Sequence, residues 1–254
     1  MIEDLKDKVV LVTGSSTGIG AAAARAFGQQ QARVAVHYNR SAEAARQVVR
    51  DIEESGGAAV AFQADLTQSA AVTELVDKVA AHFGRIDVLV NNAGDLVARR
   101  LLADIDDALF DQVMNLNARS VITACRAAVA HMRRQGSGNI INVTSVAARN
   151  GGGTGSILYA ASKGFVSTAT RALAKELAAE GIRVNAVAPG VITTPFQERH
   201  TSAAQMEGFR AGIPMQRLGT SDECAGAFLY LASGQMSGYV TGQILEVNGG
   251  QLMP

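Results

Sequence analysis

The chain has 254 residues, is 48% apolar and carries 23 basic and 23 acidic side chains, which suits one α/β domain with a sizeable core. A nucleic-acid binder would show a basic excess or stripe, and none is present. No apolar run could cross a bilayer, and Met1–Lys8 is acidic without the apolar stretch of a signal peptide, so a cytoplasmic protein with no membrane partner is expected.

The first β-branched run, Lys8–Thr13, passes through a glycine-rich turn into a helical pattern over Ile19–Gln31. Strand Arg33–His37 and helix Ala42–Glu54 follow, then strand Ala59–Gln63 and helix Ser69–Phe83. Strand Ile86–Asn91 precedes a long helical pattern, Asp107–Arg134, and strand Asn139–Thr144 precedes another, Ile157–Glu180. Strand Arg183–Val187, helix Asp222–Ala232 and strand Gln243–Val247 complete the chain. The strands are apolar throughout, as buried parallel strands are. Their alternation with helices implies right-handed crossovers. The expected fold is therefore a single α/β, Rossmann-type doubly wound domain over residues 1–254, its seven-stranded parallel sheet flanked by helices on both faces. Two segments break the rhythm: the Gly-rich stretch Arg149–Ser156, and a proline-bounded flap at about 194–218. Both follow strand ends, where such sheets bind ligands. Cys125 and Cys224 lie in separate helical patterns without metal-type spacing; free packing thiols and no metal site are expected.

The turn after the first strand reads Thr13-Gly14-Ser15-Ser16-Thr17-Gly18-Ile19-Gly20. Glycines there let backbone approach a pyrophosphate, and the following helix start offers free N–H groups and positive dipole. The spacing is G-x-x-x-G-x-G, not the common G-x-G-x-x-G fingerprint. The second strand ends in Asn39-Arg40-Ser41, with no acid to grip ribose hydroxyls. Arg40 can instead carry a 2′-phosphate with Asn39 and Ser41 as donors, which favours NADP(H) while leaving NAD(H) open. The bland alternative for Arg40 is a solvated first-turn charge.

Tyr159 and Lys163 stand four residues apart, on one helix face. A phenol titrates near 10, and a neighbouring ammonium is expected to draw it toward neutrality for proton transfer. The preceding strand ends in Thr144-Ser145, whose hydroxyl can reach the same substrate oxygen.

Taken together these motifs resemble the short-chain dehydrogenase/reductase family over essentially the whole chain. The Thr13–Gly20 segment is similar to the family's cofactor loop. The resemblance extends to Asp65-Leu66 at the adenine and to Asn91-Asn92-Ala93-Gly94 beside the cofactor. Pro189-Gly190-Val191-Ile192-Thr193-Thr194 resembles the segment that holds the nicotinamide. The family's catalytic groups fall on Asn117, Ser145, Tyr159 and Lys163, with Asn115 an alternative to Asn117. The resemblance implies hydride exchange between the nicotinamide and a carbonyl or secondary alcohol, with Tyr159 as proton donor and Ser145 steadying the oxygen. It further implies that Lys163 tunes the tyrosine and binds ribose and that Asn117 holds a relay water. Cofactor contacts are expected from Gly14, Ser16, Thr17, Gly18, Ile19, Gly20, Asn39, Arg40, Ser41, Asp65, Leu66, Asn91, Ala93, Gly94, Tyr159, Lys163, Pro189, Gly190, Ile192 and Thr194. Asn91 and Asn117 could instead serve backbone groups, the favoured role for Asn91; Asp65 could merely cap its turn, and Ser145 by itself is an ordinary strand-end hydroxyl.

Within the family the chain is similar both to 3-oxoacyl-carrier-protein reductases and to sugar or polyol dehydrogenases. The slightly long interval from Ser145 to Tyr159 weakens the first match. Arg99-Arg100 or Arg133-Arg134 could meet an acyl-carrier protein, although such doublets are usually solvated. His200 reads as a flap surface residue. The resemblance implies a dimer or tetramer assembled through the two long helices, whose Ala-rich faces permit close packing, and a homotetramer is expected. A cofactor-binding protein without turnover remains the alternative of another class, opposed by the intact set of catalytic groups.

Overall fold

The computed structural model describes residues 1–254, and its seven strands form one parallel sheet in the order β3-β2-β1-β4-β5-β6-β7. The strands are β1 Val9–Val12, β2 Arg33–Tyr38, β3 Ala58–Gln63, β4 Val88–Asn91, β5 Gly138–Val143, β6 Ile182–Pro189 and β7 Ile244–Val247. Each ends within a few residues of its sequence-based boundary. The predicted α/β, Rossmann-type doubly wound sheet is what forms.

Successive residues of a strand face opposite sides, which builds two cores from the same short apolar runs. Val10, Val12, Val34 and Val36 face α1 (Gly18–Gln29), α2 (Ala42–Glu54) and Phe228 of a later helix. Val9, Leu11, Ala35 and Leu89 face α3 (Ser69–Phe83) and the long helices beyond β4 and β5. Helix α3 stops at Gly84, which takes φ 81°, the left-handed end that glycine permits without a Cβ clash.

The long pattern expected at Asp107–Arg134 is not one uniform α-helix. It runs as α4 (Asp107–Met114), a π-helical turn over Asn115–Arg119, and α5 (Ser120–Gln135). The Asn117 side chain accounts for the inserted turn: its Nδ2 donates to Val113 O at 3.0 Å and to Asp95 O at 2.8 Å. Such insertions widen a helix locally and often mark a functional position.

A short turn, α6 (Ala147–Asn150), precedes α7 (Ile157–Leu177), and the flap holds α8 (Pro195–His200) and α9 (Ala203–Ala211). Helix α9 opens with a reciprocal Ser202–Gln205 capping box. Helices α10 (Ser221–Ala232) and α11 (Gly234–Ser237) lead to β7. Cys125 and Cys224 are both free and buried, as expected, and burial pushes each thiol up to about 12. No helix is long and apolar enough to cross a membrane.

Candidate active site

The sheet changes winding direction between β1 and β4, and the loops beyond their carboxyl ends open a cleft of about 1170 Å³. The loop after β1 is fastened to the one after β4. Thr13 Oγ1 accepts from Asn92 N and Ala93 N, both at 3.0 Å, while Asn92 Nδ2 donates to Thr13 O at 2.9 Å and Gly14 O at 3.1 Å. Behind them His37 is 2% exposed. Its Nδ1 accepts from Gly14 N at 2.8 Å, so its Nε2 carries the proton donated to Ala64 O at 3.1 Å. Burial drives this imidazole down to about 4, leaving it neutral in a fixed tautomer.

The residues present fit a dinucleotide. Gly14 and Gly18 take φ +63° and +58°, and the α1 start has no side-chain cap on its free N–H groups, which leaves them for a phosphate. Of the expected cofactor residues, Gly14, Ser16, Thr17, Gly18, Ile19, Asn39, Arg40, Ser41, Asp65, Leu66, Ala93, Gly94, Tyr159, Lys163, Pro189, Gly190, Ile192 and Thr194 line the cleft.

Two assignments need correction. Asn91 turns into the core, 3% exposed, where Nδ2 donates to Asn142 Oδ1 at 2.9 Å and to Cys125 Sγ at 3.3 Å; it is not among the cleft residues. Gly20 also lies outside the cleft lining. A Cβ there would fall 2.5 Å from Gly14 O and would meet Asn92 Nδ2, so this glycine lets helix and loop close on each other. Asp65 caps its turn, with Oδ1 accepting from Thr67 N and Oγ1, and the residue lines the cleft.

Ser145, Tyr159 and Lys163 converge at the cleft floor, and Asn117 sits just behind. Ser145 follows β5 and its Oγ accepts from Ala147 N at 3.1 Å. Lys163 Nζ donates to Val143 O at 2.8 Å and lies 5.8 Å from the Tyr159 ring centre. Asn117 is fully buried, and its Oδ1 accepts from Asp95 N at 3.0 Å. Gly94 leaves room for this meeting, since a Cβ there would come 2.6 Å from Asn117 Oδ1 and 3.2 Å from Lys163 Nζ. Asn115, the alternative, also lines the cleft, with its Oδ1 buried and without a partner.

The expected lowering of the tyrosine is reversed in this structure. Burial pushes Tyr159 up to about 12, a hydrogen bond with Ser145 pulls it down, and the Asp95 charge adds to the rise. Lys163 is itself driven down to about 8 by burial. Burial takes away the water that would stabilise a phenolate, and that loss is the largest influence on the tyrosine. The site therefore holds a protonated phenol at neutral pH, poised as a donor.

Sequence reasoning gave no role to the side chains of Thr13, His37, Asn92 and Asp95. Thr13 and Asn92 lie inside noted motifs and His37 and Asp95 close beside them, and only their side-chain directions were hidden. His200 was expected on the surface; its side chain is only 11% exposed and turned toward Asp95. Arg133 and Arg134 are engaged by Glu180 and His131, and they lie at the end of α5 that leads into β5, away from the strands' carboxyl ends.

A doubly wound sheet with a dinucleotide-shaped cleft and a Ser-Tyr-Lys floor defines the class of nicotinamide-dependent oxidoreductases. Residues 14–251 match the family model described as enoyl-(acyl carrier protein) reductase. The chain is 41% identical to 3β-hydroxysteroid dehydrogenase 1 of Eggerthella lenta, covering 100% of this chain and 97% of that one. It is 40% identical to a 3-oxoacyl-[acyl-carrier-protein] reductase of Synechocystis, over 98% of both chains. Among solved structures, an NADH-dependent reductase, A1-R′, in complex with NAD superposes with a TM-score of 0.88 at 40% identity over 100% of both chains. A short-chain dehydrogenase from Burkholderia cenocepacia with NADP gives 0.90 at 37% identity, over 98% of this chain and 99% of that one. The chain belongs to the short-chain dehydrogenase/reductase family, and it is an NAD(P)-dependent oxidoreductase.

Proposed function

We propose that the protein is an NADP(H)-preferring ketoreductase whose best substrates are 3-oxoacyl thioesters or similar ketones. The observation that carries the reaction is the convergence of Ser145, Tyr159 and Lys163 on one floor of the cleft, with Asn117 beside Lys163. The bound nicotinamide supplies the hydride. Tyr159 keeps its proton in the resting site and gives it to the substrate oxygen as that oxygen gains alkoxide basicity. Ser145 donates to the same oxygen and stabilises its developing charge. Lys163 steadies the phenolate left behind, and Asn117, clamped through both ends of its amide, fixes the path by which that proton is restored.

The cofactor preference rests on the end of β2. Arg40 is exposed and has no salt-bridge partner, and Ser41 makes no capping bond at the start of α2. The next acid in the sequence, Glu43, is hydrogen-bonded to Arg46 and Arg50, and β2 itself ends without a carboxylate to grip ribose hydroxyls. NADPH and NADH oxidation should be compared with acetoacetyl thioesters, on CoA and on carrier protein, and with diketones, sugars and polyols. Arg40→Ala should weaken NADPH by about tenfold or more while sparing NADH, the loss of one charge-assisted phosphate contact. Equal losses for both would remove the preference.

For the substrate, Leu96, Val97, Phe196 and Phe209 give the cleft an apolar wall, and the Synechocystis reductase is named for a 3-oxoacyl thioester. A sugar-derived carbonyl is the second reading, favoured by Asn150, Gln197 and Gln251 on the same cleft. For assembly we propose a homotetramer; Phe110, Ile122 and Phe165, exposed on α4, α5 and α7, support an interface there. A light-scattering mass equal to one chain would overturn it.

A further inference from the structure

Asp95 belongs to no motif, yet it touches both the catalytic floor and the flap. Its backbone N–H and carbonyl clamp the two ends of the Asn117 amide, at 3.0 and 2.8 Å. Its carboxylate turns the other way. His200 Nε2 lies 2.6 Å from Oδ1, Arg199 Nη2 donates to Oδ2 at 3.3 Å, and Leu96 N holds Oδ1 at 2.8 Å. His200 and Arg199 are the last residues of α8, and Phe196, near the start of that helix, lies 5.5 Å from the Tyr159 ring. The Phe196 and His200 rings meet edge to face at 5.1 Å. Arg99 braces the same corner, with Nε donating to His200 O at 2.7 Å and Nη1 to Thr154 O at 3.0 Å.

Neither α8 nor α9 has a fully buried residue. Apart from the Phe196 ring contacts, α8 is therefore held by polar ties that water can replace. His200 is nevertheless 11% exposed and Asp95 29% exposed, so this one tie is largely sheltered and correspondingly strong. We propose that Asp95 is a positioning residue: its contact with His200 is the latch that holds α8 closed, seating Phe196 against Tyr159 and excluding water from the site of proton transfer. Asp95 need not touch the reacting atoms; it acts through His200 and Phe196. This inference rests on Tyr159 as the proton donor.

The latch charge is also felt at the phenol, where Asp95 opposes ionisation of Tyr159. The charged and titratable groups around it are His200 and Arg199 from α8, Arg99 at the same corner, and Tyr159 and Lys163 from α7. Removing the carboxylate and removing its partner should loosen the flap alike and let water reach Tyr159, but only the first also removes the charge that opposes its ionisation.

The test compares Asp95→Asn, His200→Gln and the double variant. Amide hydrogen exchange over residues 195–211 should quicken in all three, and KM for the best carbonyl substrate should rise about tenfold or more, the scale of a lost charge-assisted hydrogen bond. Cofactor affinity should hold, and the double variant should lose no more than the worse single one, because both single changes break the same contact. The pH limb belonging to Tyr159 should move down in both single variants, because the loosened flap admits water, and further in Asp95→Asn, which also removes the opposing charge, a difference that a merely structural role would not give. Unchanged exchange over 195–211, fully additive losses or equal pH shifts in the two single variants would overturn the latch. The exchange measurement needs no turnover. Quickened exchange in the variants, together with full activity in Tyr159→Phe, would sink the assignment of Tyr159 and leave the flap contact standing.

Discussion

The two halves of the cleft are built by different means. On the cofactor side, Thr13, His37 and Asn92 bond to strand ends and loop backbone, and Thr13 and His37 are nearly inaccessible to water. On the flap side, α8 and α9 bury no residue, and α8 is tied down by Asp95 and Arg99. The first arrangement costs core energy to disturb; the second can open for little. Under the proposed function, the dinucleotide would rest against the fixed half and the substrate under the loosely held one.

Tyr159 lies where the halves meet, and its variant gives the largest expected effect. Tyr159→Phe removes the proton donor while keeping the ring beside Phe196. It should lower kcat by about 10²–10⁴-fold, the usual share of general acid catalysis, with cofactor affinity unchanged. A rate within a fewfold of the wild type would show that the proton comes from elsewhere.

The sheet was legible because its signals are local: apolar runs with turn residues between them, repeated seven times. The site was legible where chemistry is tied to residue type and order, as with Ser145, Tyr159 and Lys163. Two kinds of fact were not. Side-chain direction at a strand end or beyond it decided that Asn91 faces the core and Asn92 the neighbouring loop, and identical neighbours cannot announce that. Desolvation was the other, since the spacing of Tyr159 and Lys163 shows their attraction and hides the burial that overrides it.

The cofactor half can be probed through its buried histidine. His37 sits at about 4 against an ordinary 6.5, so between those values the unfolded chain binds a proton that the folded chain refuses. Its contribution to stability is complete above pH 6.5 and is lost as pH falls toward 4, by roughly 3 kcal/mol in all. Denaturant titrations of wild type and His37→Gln across that range should show the wild type falling more steeply. Parallel curves would mean that the cofactor loop is not tied down by a neutral imidazole.

A pair of glycines sets the halves against each other most directly. Gly20, in the first turn of α1, has Gly14 O 2.5 Å from where a Cβ would stand, and that oxygen belongs to backbone that cannot swing aside. Gly208, in α9, has nothing within 4 Å. Gly20→Ala should cost about 1–3 kcal/mol by overpacking and weaken the dinucleotide, because the displaced atoms shape its loop. Gly208→Ala should instead stabilise α9 by up to about 1 kcal/mol, since alanine is the better helix former. It should leave cofactor affinity alone. Thermal melts and cofactor titrations of the two variants decide the matter. A Gly208→Ala change as damaging as Gly20→Ala would mean that the flap is packed as tightly as the cofactor loop, and the contrast between fixed and movable halves would fail.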